Sequence, residues 1–163
     1  MTYMDGGTFL STSGIEVGEL KDFAGKRIAV IPGTTTEKAL AEFMKQKSIT
    51  VELIRVKDHI EGIAAIEGGK ATAFASDQSV LVGLAMASKD PTRFFIANIL
   101  FSYEPYGLMM RRNDSAFRLL VNRTLADLYR SGVVESIYDR WFGVFGKSSD
   151  VLHMMYLFNA LPE

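Results

Sequence analysis

Short apolar runs alternate with helical segments over the first two thirds of the chain, and this alternation constrains the fold more than any other feature. The sequence predicts strands at 27–31, 50–56, 71–76 and 93–98, with a helix in each gap, the last of them over 78–88. Strands that alternate with helices of this length form a parallel sheet with right-handed crossovers and helices on its faces. We therefore expect an α/β fold built on a mostly parallel sheet.

Helix caps mark the first two gaps. Thr34 is followed three residues later by Glu37, and Asp58 by Glu61, which is the spacing of a capping box. In this motif the first side chain accepts a hydrogen bond from the helix, and the glutamate reaches back to the N-cap residue. The sequence therefore predicts helices that begin after Thr34 and after Asp58. Ile60, Ile63 and Ala64 continue the helical spacing of the second helix, which is expected to end at Gly68 and Gly69.

The pattern changes towards the C-terminus. Residues 106–111 are strand-like, and helices are predicted over 114–131 and 133–142, each closed by a glycine. The aromatic residues at the end of the second of these helices, including Trp141, are expected in the core. The apolar segment at 151–158 is too short to form a core of its own, so we expect it to pack against other parts of the chain.

Composition and motifs exclude several classes of function. Eighteen basic and nineteen acidic residues among 163 give a net charge of −1, so we expect no nucleic acid as a partner. The chain has no cysteine, its two histidines lack metal-ligand spacing, and no known catalytic motif occurs. The most apolar stretch, residues 79–87, is far shorter than the ~20 residues needed to cross a bilayer. We expect no catalytic residue, no metal and no cofactor.

Polar side chains follow three of the predicted strands, at the sheet edge where parallel α/β proteins bind ligands. Thr34, Thr35 and Thr36 place hydroxyls at the positive end of a helix dipole, which suits a carboxylate or phosphate. His59 follows the second strand and Asp77 the third, and an anion site beside a carboxylate matches a zwitterion. Each feature also fits a simpler role, with Thr34 and Asp77 as helix caps and His59 as a solvated surface residue.

Eight segments along the chain occur in the order typical of one protein family. They are LKDFAGKR at 20–27, GTTTE at 33–37, VKDH at 56–59, IEGGKA at 66–71, AFASD at 73–77, EPYG at 104–107, and SG at 131–132 followed by IYDRWF at 137–142. In these segments the chain resembles the type II periplasmic substrate-binding proteins of ABC transporters for polar amino acids, in particular the glutamate/aspartate group. The resemblance implies two α/β lobes, joined by crossing strands, that close on an amino acid.

The resemblance also implies how this chain maps onto the family. Residues 1–10 correspond to the strand after the first crossing, 11–99 to the second lobe, 100–145 to the returning strand and helices of the first lobe, and 146–163 to a tail. The rest of the first lobe, with the arginine that pairs the ligand's α-carboxylate, is expected outside this sequence, as is any export signal. A second copy of the chain is expected to cover the apolar faces of the incomplete lobe, giving a homodimer.

The family assigns a role to each candidate site residue. Thr35 matches a ligand-contacting threonine, flanked by Thr34 and Thr36, while His59 matches a histidine that helps hold an acidic side chain. Asp77 matches the carboxylate that takes the α-ammonium group. The resemblance thus implies a periplasmic glutamate- or aspartate-binding component that works with a membrane permease. Two alternatives stay open, namely a cyclohexadienyl (prephenate or arogenate) dehydratase-like enzyme of the same fold and an extracytoplasmic sensor domain of a signalling receptor.

Overall fold

Strands and helices alternate along the chain in a computed structural model, which describes residues 2–12, 19–143, 148 and 150–161. The strands are β1 (Tyr3–Asp5), β2 (Gly7–Thr12), β3 (Arg27–Val30), β4 (Glu52–Arg55), β5 (Ala73–Asp77), β6 (Phe94–Ile96) and β7 (Glu104–Tyr106). The helices are α1 (Thr35–Gln46), α2 (His59–Glu67), α3 (Gln78–Ala87), α4 (Ser115–Arg130), α5 (Val133–Phe142) and α6 (Asp150–Asn159). Among the described residues, no helix combines the length and apolarity that a membrane span requires. The chain divides into two compact units, Asp5–Glu104 and the described residues on either side of it.

The unit Asp5–Glu104 is built on a five-stranded mixed sheet in the order β4-β3-β5-β2-β6. β3 is parallel to β4 and β5, whereas β2 is antiparallel to β5 and to β6. Four of the five strands therefore run in the same direction, which confirms the α/β class and the mostly parallel sheet. The exception is β2, which the sequence does not predict in this sheet and which separates β5 from β6.

Two apolar layers cover the faces of this sheet. Successive strand residues point to opposite faces, and in β2 Phe9 packs with Leu40 of α1 on one face. Leu10 packs on the other face with Ile66 of α2 and Leu81 of α3. All five side chains are buried, and each contributes about 1.5–3 kcal/mol relative to an exposed position. This packing fixes the ends of the strands, where the candidate site lies.

The starts of α1 and α2 agree with the predicted caps. α1 begins after Thr34 and α2 after Asp58, and both caps accept a hydrogen bond from the third helical residue. Ile60 lies in α2 as predicted, and it is 79% exposed. Gly62 lies on the opposite side of the helix, two residues on, and its missing side chain lets that side approach the sheet. Ile60 is therefore turned outward.

α4, α5 and α6 build the second unit together with the first residues of the chain. Leu152, Met155 and Tyr156 of α6 are buried against apolar side chains of β1, α4 and α5. This confirms that the apolar C-terminal segment packs against other parts of the chain. Trp141 is 68% exposed, so its predicted core position is wrong. The inward ring at this end of α5 is Phe142, which stacks on two tyrosine rings.

The strand predicted at 106–111 is wrong in its extent. β7 ends at Tyr106, and residues 107–111 are not part of a strand. Within the described chain, β7 pairs only with β1. Because β1 has three residues, β7 has no partner strand beyond its own three residues.

Candidate functional site

Three turns at the carboxyl ends of β3, β4 and β5 line one cavity of about 260 Å³. Every residue predicted for the site lies on it, with Thr34, Thr35 and Thr36 after β3, His59 after β4 and Asp77 at the end of β5. The remaining lining residues are Ile31, Ala75, Ser76 and Val80. The structure thus brings the five side chains together, as expected for the carboxyl ends of parallel strands. Their contact with a ligand stays a prediction.

The first threonine belongs to the cap of α1. The Thr34 side chain accepts a hydrogen bond from Glu37 N at 3.1 Å. Glu37 reaches back as predicted, but its Oε2 accepts from Gly33 N at 2.8 Å instead of from Thr34. This backbone hydrogen bond, together with the hydrogen bond from Arg55, lowers the pKa of Glu37. The capping role of Thr34 is confirmed, and the Glu37 carboxylate is engaged in the cap instead of lining the cavity.

The next two threonines present their hydroxyls in different ways. Thr35 is exposed at the first position of α1, and its hydroxyl makes no hydrogen bond to the described part of the chain. Thr36 is buried, and its Oγ1 donates to Asp77 Oδ1 at 3.3 Å. This bond joins the turn after β3 to the turn after β5. The positive end of the α1 dipole and the Thr35 hydroxyl therefore meet at the cavity.

His59 is held at the cavity by the close packing of α2 on the sheet. Its ring is edge-on to the ring of Phe74 in β5, with 6.1 Å between the centroids. One turn later, a Cβ atom on Gly62 would lie 2.7 Å from the Phe74 ring, so only glycine permits this approach. His59 is half-buried, which excludes the fully solvated position that was the simpler alternative for this residue.

Among the described residues that line the cavity, Asp77 is the acidic one. Burial raises the pKa of Asp77, and the negative charge of Asp5 raises it further. The hydrogen bond from Thr36 and the charge of His59 act in the opposite direction. A cation placed against this carboxylate would favour its ionised form, because an opposite charge nearby stabilises the charged state.

Two further carboxyl groups that the sequence analysis does not select interact with Asp77. Asp5 is 1% exposed, and Glu104 has a raised pKa because of burial and then the charge of Asp77. A hydrogen bond from the Ser102 hydroxyl, at 3.2 Å, acts against this rise. Glu104 lies in the EPYG segment, so the resemblance could have selected it. No local signal marks Asp5, because its main partner, Ser79, is 74 positions away in sequence.

The cavity suits a small molecule that carries both charges. The α1 N-terminus and the Thr35 hydroxyl can donate hydrogen bonds to a carboxylate, and the Asp77 carboxylate can accept hydrogen bonds from an ammonium group. In the portion of the chain that the structure describes, no group of three or more histidine and acidic side chains is arranged to hold a metal ion.

The chain matches no family model, but it is similar to curated proteins over most of its length. It is 34% identical over 137 residues to the L-glutamate/L-aspartate-binding protein of Pseudomonas aeruginosa, which covers 84% of this chain and 45% of that protein. It is 32% identical over 140 residues to the glutamate/aspartate import solute-binding protein of Salmonella typhimurium, which covers 86% of this chain and 46% of that protein. The chain therefore spans less than half the length of these relatives.

Solved structures have the same fold. An ABC transporter periplasmic binding protein from Brucella ovis matches all of this chain and 51% of its own, with a TM-score of 0.67 and 24% identity. The GluR0 ligand-binding core from Nostoc punctiforme, in complex with L-glutamate, matches 86% of this chain and 62% of its own, with a TM-score of 0.58 and 26% identity. Sequence similarity, fold and motif order agree. Over most of its length the chain is therefore similar to glutamate/aspartate-binding proteins, and it has the fold of periplasmic amino-acid-binding proteins.

Proposed function

We propose that the chain binds glutamate or aspartate as part of the solute-binding component of an ABC transporter. The observation that carries the proposal is that Thr34, Thr35, Thr36, His59 and Asp77 line a single cavity. This cavity offers groups for a carboxylate beside a group for an ammonium, which is the charge pattern of an amino acid. The relatives from Pseudomonas aeruginosa and Salmonella typhimurium, described as glutamate/aspartate-binding and import proteins, support the choice of an acidic ligand.

Each side chain has a distinct role in this proposal. Asp77 binds the α-ammonium group, and the Thr35 hydroxyl together with the α1 N-terminus binds a carboxylate. Thr36 holds the Asp77 carboxylate through its hydrogen bond. His59 binds the second carboxylate of the ligand. A protonated imidazole attracts a carboxylate as an opposite charge in addition to donating a hydrogen bond, whereas a neutral amide only accepts the hydrogen bond, so His59 favours glutamate or aspartate over glutamine or asparagine.

The unit Asp5–Glu104 is proposed to be one lobe of a two-lobed binding protein. Because the chain spans less than half of its curated relatives, we propose that an opposing lobe supplies the remaining ligand contacts. Each missing hydrogen bond to a charged group weakens binding by roughly 10- to 100-fold, so this chain alone should bind its ligand weakly. Capture in the periplasm and delivery to a membrane permease are proposed for the whole protein.

We further propose that the site binds its ligand without turnover. The curated relatives are described as binding proteins, whereas the likeness to AncCDT-1, an ancestral amino acid-binding protein described as a precursor of cyclohexadienyl dehydratase, concerns the fold alone at 23% identity. Conversion of added prephenate by the chain, followed by NMR, would overturn this part of the proposal.

Replacing Asp77 tests the ammonium site. We expect Asp77→Ala to weaken L-glutamate binding at least tenfold, because the ammonium group loses a charged hydrogen-bond partner. The measurement is an NMR titration of isotope-labelled protein that follows the amides of the three turns. Glu42→Ala is the matched control. Glu42 is an exposed acidic residue on α1, and its carboxylate accepts a hydrogen bond from the Gln46 side chain. Equal affinities for both variants and the unchanged chain would remove Asp77 from the site.

The second unit is proposed to form a homodimer through exposed apolar side chains. Val133, Ile137 and Trp141 recur every fourth residue along α5 and are 43%, 45% and 68% exposed. Leu157 and Phe158 of α6 are 55% and 69% exposed. Contiguous exposed apolar residues mark interaction sites, and a net charge of −1 gives two copies little mutual repulsion.

Light scattering tests this dimer. The chain should have about twice its 18.1 kDa mass at high concentration, and Ile137→Lys combined with Trp141→Lys should return it to a monomer. Ser136→Lys adds a charge to a neighbouring exposed position and should leave the dimer intact. A monomeric mass for the unchanged chain at the highest soluble concentration would contradict the proposal.

A further inference from the structure

α3 differs from α1, α2 and α4 in which side chain accepts a hydrogen bond from the backbone N–H groups of its first turn. α1, α2 and α4 each have an N-cap side chain that accepts a hydrogen bond from the third helical residue. Asp77 is the N-cap of α3 and belongs to the residue type that caps best, yet its side chain makes no capping hydrogen bond. Its carboxylate accepts instead from Thr36 and lines the cavity.

The capping acceptor of α3 comes from a distant residue, Asp5. Asp5 Oδ1 accepts from Ser79 N at 3.2 Å, and Oδ2 accepts from the Ser79 hydroxyl. Asp5 Oδ1 also accepts from Gly6 N at 2.9 Å, and the residue is 1% exposed. The hydrogen bond from Gln78 N to Gly6 O, at 2.9 Å, fixes the start of α3 beside Asp5.

We propose that Asp5 is a positioning residue that caps α3 in place of Asp77 and thereby leaves the Asp77 carboxylate to the ligand's ammonium group. The proposal rests on the binding function proposed above. Without Asp5, the Ser79 N–H would have no acceptor within its own helix, because the first N–H groups of a helix have no intrahelical partner. It would then donate to the nearest carboxylate, which is that of Asp77. Asp77 already occupies the N-cap position, so its side chain would turn from the cavity to the helix.

The charges around Asp77 make this arrangement measurable. Asp5 and Glu104 face Asp77 with negative charge, His59 faces it from α2, and Thr36 donates to it from α1. Removing the charge of Asp5 should lower the pKa of Asp77, since that charge raises it. A new hydrogen bond from a backbone N–H should lower the pKa of Asp77 further, because it stabilises the carboxylate.

The test is a pH titration of the Asp77 carboxyl carbon by NMR in the full chain. Asp5→Asn keeps an acceptor oxygen for Ser79 N but loses the charge, whereas Asp5→Ala loses both. We expect the Asp77 midpoint to fall from the unchanged chain to Asp5→Asn and again to Asp5→Ala. The Ser79 amide shift should follow the Asp77 titration only in Asp5→Ala. Asp90→Asn, which alters the cap of a short turn before β6, should leave the midpoint unchanged.

Two outcomes would overturn the proposal. One is that the Ser79 amide shift in Asp5→Ala does not follow the titration of Asp77. A merely structural loss would loosen the turn without forming the new hydrogen bond from Ser79 N to Asp77. The other is an unchanged affinity for L-glutamate in Asp5→Ala, where we expect a loss of about tenfold from the misplaced carboxylate. If the unchanged chain does not bind glutamate at all, the proposed function fails, but the titrations still decide whether Asp5 caps α3.

Discussion

Phe74→Ala is expected to lower the free energy of unfolding by about 3–5 kcal/mol. Phe74 is fully buried in β5, where it pairs with Leu10 of β2 and Ala29 of β3. Its ring also supports α2, through the close approach of Gly62 and the edge contact with His59. Truncation leaves a cavity between the sheet and α2, among the buried side chains that pack with Phe74. Urea denaturation followed by circular dichroism measures the loss.

Phe95→Ala is the matched control for this variant. Phe95 lies on the edge strand β6 and is 41% exposed, so the same truncation there should cost about 1 kcal/mol or less. Phe74→Ala should also broaden the His59 ring signals in NMR spectra, whereas Phe95→Ala should not. Equal losses of stability in the two variants would contradict the enclosed position of Phe74.

Gly7→Ala is expected to destabilise the chain by about 1–3 kcal/mol through overpacking. A Cβ atom at Gly7 would lie 2.1 Å from Cε2 of the Phe101 ring. That ring has little room to move, because it packs against Phe9 and Phe43 at centroid distances of 5.1 and 6.3 Å. The hydrogen bond from Phe101 N to Gly7 O, at 2.9 Å, holds the two backbones together. The added methyl group must therefore displace a packed ring or break a strand contact.

A double-mutant cycle with Phe101→Ala isolates this clash. In the Phe101→Ala background, the loss caused by Gly7→Ala should shrink by about 1 kcal/mol or more, since residues in contact couple by 0.5–3 kcal/mol. Gly83→Ala is the control, because a Cβ atom there meets nothing within 4 Å in the interior of α3. That variant should gain about 0.5–1 kcal/mol. Additive losses in the cycle would show that the ring is not the obstacle.

Local interactions explain why much of the fold could be predicted from the sequence. Thr34 and Asp58 each bond a backbone N–H three residues on, so both partners of the cap lie in one short segment. Gly132, with a φ of +73°, takes the left-handed conformation that glycine adopts without strain, and it separates α4 from α5. The convergence of the five candidate residues on one cavity could be predicted because each lies at or just after the end of a strand, and parallel strands bring their carboxyl ends to one edge.

The features that escaped prediction depend on partners far along the chain. β2 pairs with residues 74–77 and 94–96, and it begins with a glycine, which lowers strand propensity. The capping role of Asp5 depends on Ser79, which the sequence gives no reason to place beside it. The exposure of Ile60 follows from the packing of α2 on the sheet through Gly62, which the sequence does not reveal because this contact depends on a missing side chain.

The position of β2 determines the order in which this unit can fold during synthesis. β2 leaves the ribosome before the other strands of the sheet, yet both of its neighbours, β5 and β6, are made more than 60 residues later. Until then Phe9 and Leu10 have no strand to cover them, and an uncovered apolar strand is a target for chaperones and for aggregation. Because its pairings are this distant in sequence, the unit should fold more slowly than a helical domain of the same size. Slow translation through residues 73–96 would lengthen the time for which β2 stays uncovered.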